Sequence, residues 1–149
     1  MLDLKELYQE VIVDHNRNPR NCYEMMDACH CADGFNPLCG DKLTLFLKMK
    51  DDVIEKASFV GKGCAISTAS ASLMTDALKD LSVDQAKALF KRFHQMVTTD
   101  NEMSLDAMDK LAVLAGVREF PSRVKCATLA WHTLNAAFEQ KVGAIVTTE

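Results

Sequence analysis

Apolar residues fall at three-and-four spacing at the start of the chain, where Leu4, Leu7, Tyr8, Val11 and Ile12 predict an amphipathic helix over residues 4–15. Asn16-Arg17-Asn18-Pro19 stops it. The period then changes to two. Leu43, Leu45, Leu47 and Met49 alternate with Lys42, Thr44, Lys48 and Lys50, which predicts a strand over 42–50 with one buried face. Asp51-Asp52 turns the chain into Val53–Val60, the second arm of a hairpin. Residues 24–33 are a weaker candidate for a third, antiparallel strand. After Gly61-Lys62-Gly63 the helical period returns, with Ile66, Ala69, Leu73 and Ala77 marking a helix over about 64–80. Ser82 and Gln85 have capping-box spacing ahead of Ala86, Leu89, Phe90, Phe93 and Val97. Leu105, Met108, Leu111 and Ala112 predict a shorter helix ended by Gly116. Pro121-Ser122 opens a last one carrying Val124, Ala127, Trp131, Leu134 and Phe138. The pattern is α+β: an N-terminal helix, a small antiparallel sheet of about three strands, and helices packed on one of its faces.

At 149 residues, 48% hydrophobic and 26% charged, the chain has the arithmetic of one domain over 1–149, able to build a core without disulfides. A formal charge of −4 with no basic run disfavours nucleic-acid and anionic-membrane partners. The longest strictly apolar stretch, Leu111–Ala115, is too short to span a bilayer. The start, Met1-Leu2-Asp3-Leu4-Lys5-Glu6, is acidic where a secretory signal is basic, so a cytoplasmic location is expected. Six cysteines in such a chain point to metal or thiol chemistry rather than bridges.

Three of those cysteines share a setting. Cys39 lies in the turn Asn36-Pro37-Leu38-Cys39-Gly40-Asp41, Cys64 starts a helix after two glycines, and Cys126 falls in the first turn after Pro121-Ser122. A thiol at a helix N-terminus meets unpaired N–H groups and the positive end of the dipole, which favours thiolate. The plainer alternative is that small cysteines pack anywhere in a core. Asp41, two residues after Cys39, is a fourth ligand for a tetrahedral zinc site, or else a turn-forming aspartate beside glycine. Arg123, three residues before Cys126, shares its helix face and either stabilises thiolate or is a solvated cation. Cys29 and Cys31 would project from one face of a strand, with His30 on the other, so these three do not make a site together. Cys22, His94 and His132 have no convergent partners in the sequence, and His15 reads as a helix-terminal charge. The scattered methionines read as filler, not as a copper site.

Asp14-His15-Asn16-Arg17-Asn18-Pro19-Arg20-Asn21, Asn36–Asp41, Gly63-Cys64-Ala65-Ile66-Ser67 and Arg123-Val124-Lys125-Cys126-Ala127 together resemble the IscU/NifU-N-terminal family of iron–sulfur cluster assembly proteins. Lys125 stands where IscU-type scaffolds carry a histidine, and the interval from Cys64 to Cys126 is long; both features resemble the SufU-like branch. The resemblance implies zinc held by Cys39, Asp41, Cys64 and Cys126, a partner cysteine desulfurase that hands over persulfide sulfur, and delivery to SUF-type cluster assembly. On that reading the chain is a sulfurtransferase-like carrier. Cys39, in a turn beside Gly40 that moves at low cost, is the expected sulfur acceptor, with Arg123 as an assisting cation. Two alternatives remain open: a scaffold that binds iron or a [2Fe–2S] cluster on the same residues, and a non-catalytic zinc-stabilised binding module.

Overall fold

Strand parity places the polar ends of the sheet where the helices meet it. In the computed structural model, which describes residues 4–37, 40–98, 111, 114, 116, 117, 120–139 and 145–147, β2 (Asp41–Lys50) turns Leu43, Leu45 and Leu47 into the core. Leu45 and Leu47 are fully enclosed, and each contributes roughly 1.5–3 kcal/mol of burial. The same parity carries Asp41 onto that face, and it too is fully buried. β1 (His30–Asn36) runs antiparallel to β2, with Asn36 opposite Asp41 at the closed end. Its core-facing residues include Ala32 and Asn36. β3 (Val53–Lys62) pairs antiparallel to β2 through Asp51 and Asp52, both left-handed at φ 52° and 65°, as a two-residue type I′ hairpin requires.

The three expected antiparallel strands are therefore present, but β1 starts six residues later than the sequence pattern suggests. A short fourth strand, β4 (Ile145–Thr147), joins β1 in parallel, giving the order β3-β2-β1-β4. The outer edge of β3 is covered by chain from elsewhere. Phe59 N–H donates to Asn21 O at 3.0 Å, Ile54 N–H to Leu81 O at 2.8 Å, and Asp80 N–H to Ile54 O at 2.9 Å.

The helices are α1 (Leu4–Arg17), α2 (Ala65–Leu78), α3 (Val83–Thr98) and α4 (Pro121–Phe138). α2 and α4 pack on the sheet and on each other, and α1 packs on α2. His15 is part of that second contact. It is 5% exposed, with Nδ1 at 2.7 Å from Ser72 Oγ, and Arg20 N–H donates to the same oxygen at 2.8 Å. A buried staple between α1 and α2 thus replaces the helix-terminal charge read from the sequence. The capping box of α3 forms as expected: Gln85 N–H donates to Ser82 Oγ at 3.1 Å and Ser82 N–H to Gln85 Oε1 at 2.9 Å. Trp131 of α4 stacks on Phe93 at 4.5 Å and donates from Nε1 to Ser70 Oγ at 3.3 Å, tying α3, α4 and α2 together. Of the short helix expected near 105–116, Leu105, Met108 and Ala112 lie outside the described residues, while Leu111 and Leu114 are buried. Among the described residues no helix is long and apolar enough to cross a membrane.

Candidate metal centre

The fold brings three of the four expected ligands together. A carboxylate oxygen of Asp41 and the sulfurs of Cys64 and Cys126 all lie within 4.8 Å of one another. Asp41 opens β2, Cys64 caps α2, and Cys126 projects from α4. Cys39 and its neighbour Leu38 lie outside the described residues, in the connection between paired Asn36 and Asp41.

Each described ligand is held by backbone geometry. Cys64 has extended dihedrals, φ −70° and ψ 169°, and its sulfur accepts from Ser67 N–H at 3.3 Å, the bond of a helix N-cap. Its own N–H donates to Asp41 Oδ1 at 2.8 Å. Gly63 makes room for that bond, since a Cβ there would sit 2.8 Å from Asp41 Oδ1. The other carboxylate oxygen accepts from Asn36 Nδ2 at 3.2 Å. Asn36 Nδ2 also lies 3.5 Å from Cys126 Sγ. Asn36 is fully buried and orients two ligands at once, a role that reading it as a turn residue ahead of Pro37 misses.

The Cys64 thiol is pulled down to about 6, first by a hydrogen bond from Cys126 and then by Ser67 N–H; burial and the Asp41 charge act in the opposite sense. A helix N-terminus adds its dipole to the same preference. Cys126 needs correction. It is the sixth residue of α4, in the second turn and fully buried, so the N-terminal dipole is not what prepares it. Packing against Asn36 and Cys64 is. The centre is largely buried: Asp41 and Cys126 are enclosed, and Cys64 is the partly exposed member. Arg123 is exposed in the first turn of α4.

The remaining candidates fall elsewhere. Cys22 is exposed and bridges to Phe59, and Cys29 is exposed with its thiol 3.9 Å from Met49 O. Cys31 is half-buried, its thiol pushed up by burial and by Asp33 and Glu24. His30 turns the other way, to Ala137 O at 2.9 Å, as strand parity requires. His94 and His132 do converge, with ring centroids 6.3 Å apart and both edge-on to Phe90. Their approach depends on how α3 lies on α4, which a one-dimensional pattern does not contain.

Residues 7–139 match the model of the NifU-like N-terminal domain. The chain belongs to that family. It is 41% identical over 142 residues, 95% of each chain, to the zinc-dependent sulfurtransferase SufU of Bacillus subtilis. It is 39% identical over 141 residues to the iron–sulfur cluster assembly scaffold protein IscU of Streptococcus pyogenes, covering 95% of this chain and 88% of the relative. Among solved structures, one described only as a hypothetical protein has a TM-score of 0.83 at 39% identity, covering 89% of this chain and 97% of that one. A Fervidobacterium islandicum chain, assigned as a candidate scaffold protein for iron–sulfur cluster assembly in the SUF system, has a TM-score of 0.77 at 30% identity, over 88% and 96%. The N-terminal helix, small antiparallel sheet and packed helices read from the sequence are the architecture of this family.

Proposed function

We propose that this chain is a zinc-dependent sulfur acceptor of SUF-type iron–sulfur cluster assembly, working in the cytoplasm with a cysteine desulfurase. The observation that carries the reading is the convergence of the Asp41 carboxylate with the sulfurs of Cys64 and Cys126 in one polar-lined site. Two soft sulfurs and a carboxylate fit a zinc ion that lacks one ligand. Cys39, two residues before Asp41 in the chain, is the candidate for that ligand. Zinc bound there would keep the thiolates deprotonated and restrain their reactivity.

Cys39 is the acceptor. Its thiolate attacks the outer sulfur of the desulfurase persulfide, a new S–S bond forms on Cys39, and the desulfurase cysteine leaves as thiolate, with no net oxidation. Gly40, left-handed at φ 71°, is the pivot beside it. Arg123 offers a cation on the rim to the sulfur anion. Mass spectrometry after incubation with desulfurase and cysteine finds added sulfur on the peptide containing Cys39. Sulfur found only on Cys64 or Cys126, with Cys39→Ser still active, overturns this assignment.

Similarity to the Streptococcus pyogenes scaffold supports a second reading, in which the same residues hold a [2Fe–2S] cluster. Metal analysis separates the two: a colourless protein with zinc supports transfer, a brown one with iron and labile sulfide supports the scaffold.

A further inference from the structure

An open groove of about 590 Å³ runs between α3 and α4, within the size range of ligand sites. One wall is a single face of α3, where Lys87, Lys91 and His94 recur at positions i, i+4 and i+7. Phe90 lies between them and forms the floor. It is 9% exposed, stacked on Trp131 at 6.1 Å and edge-on to His132 at 5.2 Å, so this floor is a fixed aromatic surface. Asn135 of α4 and its C-terminal cap Glu139 form the other wall. Asn135 follows Cys126 by about 13 Å along the helix axis, and no residue of the groove belongs to the metal centre.

The chemistry of the two walls identifies what fits between them. The chain carries a net charge of −4, yet Lys87 and Lys91 stand exposed one turn apart, with no ion pair among the described residues. Like charges at that spacing repel, and an anionic occupant relieves the repulsion. On the opposite wall, Asn135 Oδ1 is buried and has no hydrogen-bond partner. Buried polar atoms are almost always paired, so this acceptor calls for a donor. Phosphate and other simple anions serve the lysines but bring no N–H to Asn135, and they meet the Glu139 carboxylate on the same wall. An acidic peptide supplies both needs, carboxylates from its side chains and N–H groups from its backbone.

We propose that this groove docks an acidic segment of a partner protein. Its carboxylates meet Lys87 and Lys91, an apolar side chain rests on Phe90, and a backbone N–H reaches Asn135 Oδ1. A floor already fixed by Trp131 and His132 costs little ordering on binding. The lysines set the sign of the partner, against the negative charge of the chain as a whole. Because the groove and the metal centre share no residue, the inference stands or falls independently of the function proposed above.

The probe is a fluorescein-labelled peptide of alternating glutamate and leucine, titrated with the full chain and read by fluorescence anisotropy. Binding is saturable and weakens as salt rises. Lys87→Glu combined with Lys91→Glu weakens it about 10-fold or more. Lys50→Glu combined with Lys56→Glu makes the same change of charge on exposed residues of β2 and β3, and leaves binding within about 2-fold of wild type. No saturable binding overturns the proposal, as does an equal loss in the two double variants, which would reduce the effect to net charge. Equal binding of a lysine–leucine peptide overturns it too. Inorganic tripolyphosphate that binds more tightly than the acidic peptide at the same ionic strength would make the groove a phosphate site instead.

Discussion

Cys64 carries the clearest single-residue consequence. In the metal-free protein its thiol, lowered to about 6, should react with iodoacetamide along a pH profile centred near that value. The sign for stability follows. An unfolded thiol ionises near pH 8.5, so the folded thiolate stabilises the chain above that pH, and the contribution is lost as pH falls to about 6. Urea midpoints of metal-free protein should therefore rise between those limits, and a flat profile would show that Cys64 is an ordinary thiol. This residue was legible in the sequence, because glycines followed by cysteine at the start of a helical period have few other uses. Asn36 was not: an asparagine before proline reads as a turn former, and only the pairing of β1 with β2 reveals that it faces inward. Cys126 was legible as a member of the site but not in its depth, since a proline marks where a helix opens and not which turn is buried.

At the scale of elements, the site depends on how closely β2 meets the start of α2. Gly63→Ala forces a Cβ to 2.8 Å from Asp41 Oδ1 and 3.1 Å from Ser67 Oγ, which separates the carboxylate from Cys64 N–H. The expected cost is about 1–3 kcal/mol in chemical denaturation, together with weaker zinc binding. Unchanged stability and affinity would mean that the junction relaxes freely. Element legibility followed the strength of local periodicity. β2 alternates cleanly and its boundaries came within one residue, whereas β1 reads His-Cys-Ala-Asp-Gly-Phe-Asn and has no pattern of its own. Its register is imposed by Leu43, Leu45 and Leu47 across the ladder, a tertiary contribution that outweighs strand propensity. The three residues of β4 are too few to announce themselves.

For the whole molecule, a ligand set drawn from β2, α2 and α4 makes metal binding a contribution to global stability. Removing zinc should lower the melting temperature by about 5 °C or more. Replacing Cys22, Cys29 and Cys31 together by serine should leave the zinc content at wild-type level, since none joins the centre. Zinc loss in that triple variant would show that ligands were assigned to the wrong cysteines. The sheet that carries Asp41 has a further property. Both of its flanks are occupied by backbone from outside the β1–β2–β3 meander: Asn21, Asp80 and Leu81 along β3, and Ile145–Thr147 along β1. Open flanks are where one chain recruits another into cross-β polymers. Loss of these short peripheral segments would therefore expose the edges of β1 and β3 to such recruitment while leaving the core they border in place.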